Sequence, residues 1–263
     1  MLTAMDESDC KVYADEVYKT DENGNKLKYY CPECGDELIL RQGRINIPHF
    51  SHKHDTMCLF RKNGGESYVH NHMKHAVKTL IEKDNLVKCS DIEHKIGNRI
   101  ADYYFEVNRG GLKKVAVECV HKHTDADEFD LKNEFYRDNG IYVLWVFDTG
   151  RFTENRVFKS EVNTCEIMRE AHKFHFQRLF CIDILGTGMY AIHFNKVKRW
   201  RDGGYDQYGE YHEGYYKTLK NTKGINSVHI PKFRVNAFAD KQADQYIHYD
   251  RKIAGTFLNY HGL

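Results

Sequence analysis

At 263 residues the chain can form one large domain or two modest ones, and 41% hydrophobic residues with 13% aromatics can furnish a core, which excludes an intrinsically disordered protein. No stretch approaches the roughly 18 uninterrupted apolar residues that span a bilayer. The acidic start, Met1 to Glu16, lacks the basic-then-apolar pattern of a secretory signal, so a cytoplasmic protein that makes no membrane contact is expected. The formal net charge of +1, from 39 Lys and Arg against 38 Asp and Glu, carries no global signature of a polyanion-binding protein.

In chain order, Met1 to Tyr29 is acidic and holds a turn signal at Glu22-Asn23-Gly24-Asn25 between short apolar runs, which predicts a hairpin without chemistry. Tyr30 to Lys62 is dense in Cys and His with little apolar periodicity, the pattern of a small unit stabilised by a metal in place of a core. Gly64-Gly65 then breaks the chain before a helix predicted from Glu66 to about Lys83, whose buried stripe is Val69, Met73, Ala76, Val77 and Leu80. Strand-like segments follow near Leu86 to Ile92, Ile100 to Val107 and Lys114 to Val120, then a helix from Asp127 to Asn139 and a strand from Ile141 to Phe147. Helix, three strands, helix and strand in that order indicate an α/β domain with a mixed sheet flanked by helices. Beyond Asp148 a helix around Glu161 to Phe176 precedes strands at Leu179 to Leu185 and Tyr190 to Phe194, an additional α+β segment. The division is therefore 1–62, 63–150 and 151–263. From Gly186 to Leu263, twelve Lys and Arg face seven Asp and Glu, with nine of the eighteen tyrosines. In Phe194-Asn-Lys-Val-Lys-Arg-Trp-Arg201, aromatics interleaved with base could stack nucleobases and hold phosphates, or form the edge of a packed strand.

Cys31-Pro-Glu-Cys34 is a C-x2-C pair followed by Gly35, the tight turn that aims two thiolates at one ion, and His52-x5-Cys58 supplies a second pair of ligands. His49 competes with His52, and spacing leaves the choice open. A redox Cys-x-x-Cys would open a helix after a βαβ pattern, which is missing here. Four ligands leave no open position for water, so Zn²⁺ at Cys31, Cys34, His52 and Cys58 is expected to be structural. The five remaining cysteines read as small buried hydrophobes.

Asp102 and Glu118 lie on two strands joined by the turn-forming Asn108-Arg-Gly-Gly111, with Gly110 or Gly111 supplying positive φ. One register sets them directly opposite, Cβ atoms roughly 5 Å apart; a one-residue slip puts them on opposite faces. Val115-Ala-Val-Glu-Cys-Val120 is apolar on both faces, where a carboxylate is costly unless paired, and two adjacent carboxylates repel unless a cation lies between them. Mg²⁺ or Mn²⁺ suits hard oxygen ligands and retains waters for hydrolysis. Glu66 could add a third carboxylate, with His70 and Lys74 following at i+4 and i+8. Taken singly, Asp102 is an edge residue, Glu66 a helix-start acid, and His70 and Lys74 a solvated face; the joint pattern points to a metal.

These residues resemble the competence protein CoiA-like nucleases, a branch of the PD-(D/E)XK superfamily. The resemblance runs from about 30 to 147, through Tyr30-Cys-Pro-Glu-Cys-Gly35, Leu40-Arg-Gln-Gly43, Pro48-His-Phe-Ser-His52, Cys58, Glu66-Ser67, His70, Lys74, Arg99-Ile-Ala-Asp102, the Glu118 strand, Tyr136 and Ile141 to Val146. It implies a restriction-endonuclease-like core and metal-dependent hydrolysis of nucleic-acid phosphodiesters, DNA above RNA, by an endo- or exodeoxyribonuclease. Asp102 and Glu118 would bind the metal and Glu66 would support them. The family's Lys or Gln two residues after the glutamate is replaced by Val120, so its role falls to His123, at the spacing some CoiA-like sequences use, or to Lys132, with His121 and Lys122 as further candidates. Val120 equally suits a nuclease-like protein that binds without cutting, and a zinc-stabilised interaction module is a further alternative.

Overall fold

The computed structural model describes residues 1–44, 46–54, 58, 67–83, 87–108, 112–121, 125–154, 157–158, 164–175, 178–184 and 188–228. Five short strands build the N-terminal unit: β1 (Thr3–Met5), β2 (Lys11–Tyr13), β3 (Tyr29–Tyr30), β4 (Glu37–Arg41) and β5 (His49–His52). They form one antiparallel sheet in the order β2-β1-β3-β4-β5. Its small core includes Leu38, Leu40 and Phe50 and, unusually, Cys31 and Cys58. The turn expected near Asn23-Gly24 forms, with the Asp21 carboxylate accepting the Asn23 and Asn25 amides and Gly24 at φ 83°. Such carboxylate-to-backbone bonding is what makes Asp a turn residue, while Gly supplies the positive φ.

The larger layer begins with α1 (Tyr68–Ile81), β6 (Val87–Ile96), β7 (Arg99–Asn108), β8 (Leu112–Val120), α2 (Ala126–Asp138) and β9 (Tyr142–Asp148). Each agrees with its sequence expectation to within a few residues; Glu66, Gly64, Gly65, Gly110 and Gly111 lie outside the described residues. After β9 come β10 (Thr153–Glu154), β11 (Val157–Phe158), α3 (Glu166–Phe174), β12 (Leu179–Ile182), β13 (Met189–Arg201), β14 (Gly204–Tyr205), β15 (Tyr211–His212) and β16 (Tyr215–Val228). Seven of these strands share one sheet in the order β16-β13-β12-β9-β8-β7-β6. The β8–β9 and β9–β12 pairs are parallel, whereas the others are antiparallel.

Two parallel crossovers taken in the same direction put their helices on the same face when both are right-handed. Accordingly α2 and α3 pack together over a core of Phe129, Tyr136, Trp145, Phe147 and Ile167. On the other face α1 buries Met73, Val77 and Ile81 against Tyr103, Phe105 and Val117. Ser67 caps α1 by accepting the His70 amide at 3.2 Å, worth about 1 kcal/mol for a cap of this kind. Three expectations need correction. Lys74 is fully buried instead of solvated, because Glu93 lies beneath it. Cys10 and Cys89 are exposed, unlike the buried Cys119 and Cys181, because both fall where the chain is polar on either side. Val69, Ala76 and Leu80 are only partly buried; the helix turns Ile81 inward instead.

Candidate functional site

The Cys-x-x-Cys knuckle is shaped by local hydrogen bonding: the Gly35 amide donates to the Cys31 carbonyl at 2.9 Å, and Gly35 takes φ 76°, a left-handed conformation that strains other residues. This turn presents Cys31 and Cys34 to β5 and the segment after it. The potential ligand atoms of Cys31, Cys34, His52 and Cys58 all lie within 4.8 Å of one another. Cys31 Sγ is 3.6 Å from Cys58 Sγ, and Cys34 Sγ is 3.3 Å from His52 Nε2. His52 is therefore the imidazole of the cluster; His49 directs Nδ1 to the Ile47 carbonyl at 2.9 Å.

Burial pushes the Cys31 thiol up to about 12, so as a free side chain it would hold its proton; a cation is what makes a buried thiolate affordable. Three cysteine thiols and one imidazole converging at tetrahedral reach fit a metal ion such as zinc.

The second constellation sits where β7 leaves β8. Their ladder runs to Tyr103↔Val117, and one further step in the same register sets Asp102 against Glu118. At that step a side chain replaces main-chain pairing: the Cys119 amide donates to Asp102 Oδ2 at 2.7 Å. His70 Nε2, from the first turn of α1, meets Asp102 Oδ1 at 2.8 Å.

Glu118 is almost wholly buried and is served by one face of α2. Phe129, Asn133 and Tyr136 recur at helical spacing on that face. Lys132 Nζ donates to Glu118 Oε2 at 2.7 Å, and the Tyr136 hydroxyl makes a short bond to Oε1. Lys132 also lies over the Trp145 ring, which the Asn133 carbonyl holds through the indole N–H at 2.9 Å.

The two carboxyls are driven apart electrostatically. Burial acts to raise Asp102, but the charge and hydrogen bond of His70, with the charges of Lys74 and Lys132, hold it below the usual carboxylate range. Burial, opposed by Lys132 and aided by repulsion from Asp102, pushes Glu118 up. Against its own burial, Lys132 is raised by Glu118 and Asp102 and stays charged. Such opposed shifts in neighbouring groups are typical of acid–base sites and of structural ion pairs alike.

Asp102, Glu118 and Lys132 are thus brought together. Glu66, His123 and Lys122 fall outside the described residues. His121 stands 3.9 Å from Asp148 Oδ2, and Val120 is packed into the apolar core beneath α2 and α3. The bonds of His70 to Asp102 and of Tyr136 to Glu118 were missed from sequence; the Lys132-x3-Tyr136 spacing was the available signal for the latter. Among the described residues no set of three His, Cys, Asp or Glu that includes Asp102 or Glu118 brings its ligand atoms within 4.8 Å. The oxygens there are hard and anionic, as a divalent ion requires, but Lys132 and His70 already balance them.

Residues 14–61 match the family model described as the competence protein CoiA N-terminal domain. Competence protein CoiA of Bacillus subtilis (strain 168) is 25% identical over 133 residues, 49% of this chain and 35% of that protein. The chain thus spans about a third of the length of that curated relative. No solved structure matches it significantly. No helix among the described residues is long and apolar enough to cross a membrane. The likeness is thus to the CoiA N-terminal domain over residues 14–61 and, in part, to competence protein CoiA.

Proposed function

We propose that this protein is a metal-dependent nuclease of the restriction-endonuclease-like type that acts on DNA during its uptake or processing. The observation that carries the reading is Lys132: the ammonium absent at Val120 reaches Glu118 from the neighbouring helix instead. A cation in direct contact with one of the two carboxylates can stabilise charge that develops on a phosphate in the transition state. Tyr136 orients Glu118, and His70 and the Cys119 amide fix Asp102. A Mg²⁺ or Mn²⁺ ion held by Asp102 and Glu118 would supply Lewis acidity and an activated water. Four protein ligands at the N-terminal cluster would leave a metal there no open position for water, which favours this centre for the chemistry.

The DNA reading draws on the relative being a competence protein. It also draws on β13 and β16, which together contain seven Lys and Arg and no Asp or Glu. The test is cleavage of single-stranded, duplex and branched DNA with Mg²⁺, Mn²⁺ or chelator, beside Glu118→Ala and Asp102→Ala. Divalent-dependent cutting that both variants abolish is expected. Cutting that survives in the variants would refute the assignment, and DNA binding without cutting in the wild type would leave a nuclease-like binding protein.

A further inference from the structure

Strand β6 contains a buried acid that the proposed centre does not use. Its ladder to β7 runs Ile92↔Tyr103 and His94↔Ala101, so the position of Glu93 faces Asp102, just as Asp102 faces Glu118 on the other side. Glu93 does not continue the pleat: it adopts φ 53°, a conformation unfavourable to a side chain of this kind and maintained only where the surroundings over-determine it. They do so here. Glu93 Oε1 accepts the Leu2 amide at 2.7 Å and Lys74 Nζ at 2.5 Å, while Oε2 accepts the Thr3 amide at 3.0 Å and the Thr3 hydroxyl at 2.6 Å.

These partners come from two places. Leu2 and Thr3 belong to the N-terminal unit, which grips β6 on both sides of Glu93. Lys11 Nζ binds Asp91 Oδ1 at 2.7 Å and the Ile92 carbonyl at 2.8 Å. Lys95 binds Glu33, inside the Cys31–Cys34 knuckle, at 3.0 Å. Lys74 belongs to α1, one turn beyond the His70 that holds Asp102.

We infer that Glu93 is a positioning residue: it couples the docked N-terminal metal unit to α1 and to the point where β7 parts from β8, and so fixes Asp102. The charge of Lys74, anchored by Glu93, contributes to keeping Asp102 ionised. The inference rests on reading Asp102 as part of the hydrolytic centre. Its geometric content can nevertheless be measured without catalysis, because the Cys119 amide is bonded to the Asp102 carboxylate.

The experiment is residue-resolved amide hydrogen exchange on the 263-residue chain, comparing wild type with Glu93→Gln, Thr3→Ala and Tyr13→Phe. Thr3→Ala removes one bond to Glu93; Tyr13→Phe weakens the same interface through Asp91 alone. Exchange at Cys119 is expected to quicken about tenfold in Glu93→Gln and about threefold in Thr3→Ala, relative to the amides of β9, and to follow β9 in Tyr13→Phe. Parallel kinetics should show a fall in kcat with KM within about twofold for the first two variants. An acceleration at Cys119 no greater than in β9 would make Glu93 a merely structural anchor and overturn the inference. Should Glu93→Gln fail to fold, Thr3→Ala decides by the same criterion. A wild type that never cleaves DNA, with the Cys119 effect present, would sink the nuclease reading and leave the positioning role standing.

Discussion

Replacing Lys132 with Met keeps the length and bulk of the side chain but strands the Glu118 carboxylate in an apolar layer. Breaking a buried pair by removing one partner costs about 3–5 kcal/mol when both ions are fully desolvated. Two features lower that figure. Lys132 is 24% exposed where Glu118 is 4% exposed, and Tyr136 still donates to Glu118. An upper limit follows because the carboxylate can take up a proton: from a free value near 4.3, protonation at pH 7 costs roughly 3.7 kcal/mol. A loss of about 2–3.5 kcal/mol at pH 7 is expected, or a fall in Tm of roughly 5–12 °C for a domain of this size.

The sign of the pH dependence is fixed by the same argument. Glu118 already has a raised pKa in the folded protein, and loss of Lys132 raises it further. The folded variant then binds the proton more tightly than the unfolded chain, so its stability is lost as pH rises above about 4.3 and the deficit relative to wild type shrinks toward zero near that pH. Urea titrations at pH 7 and pH 4.5, with chelator present, measure both deficits. Equal deficits at the two pH values, or none at pH 7, would refute the view that Lys132 serves to neutralise Glu118.

Metal removal from the N-terminal cluster should lower Tm, and zinc binding should release protons because the buried Cys31 thiol is pushed up to about 12; calorimetry in buffers of different ionisation heat checks this, and binding without proton release would contradict it. At the interface between the two sheets, burial acts to raise Asp91, but hydrogen bonds from His94 and Lys11 hold it below the usual carboxylate range. Its contribution is therefore complete above the unfolded value near 3.9 and fades as pH falls through the lower folded one. Asp91→Asn should reduce Tm at pH 7 and much less at pH 2.5, as thermal melts would report; an equal reduction at both would exclude an ionic contribution.

Much of the framework was legible because it depends on short-range rules. The Cys31 and Cys34 pair declares itself through its spacing and Gly35, and the hairpin that carries Asp102 and Glu118 declares itself too, although the choice between its two registers comes from the pairing of β7 with β8. Long-range placement was harder. Lys74 sits where a polar helix face is expected, and only its burial against a residue of β6 reveals why a lysine is there. Glu93 had no signal at all, since its conformation depends on partners ninety residues earlier in the chain. Beyond the strand expected at Tyr190 to Phe194, the Gly- and Tyr-rich stretch resisted assignment because no local period marks its strands; that β13 and β16 extend the same sheet as β9 is settled by pairing between distant segments.

The contact between Thr3 and Glu93 spans 90 positions, and it dictates an order of events while the polypeptide is being made. Strand β1 leaves the ribosome long before its acceptor on β6 exists, so it cannot take its final place until β6 follows. Closing so long a loop costs little more than closing a loop half as long. What the delay imposes is an interval in which the Leu2 and Thr3 amides are without their acceptor, making the junction of the two sheets a late event in biosynthesis.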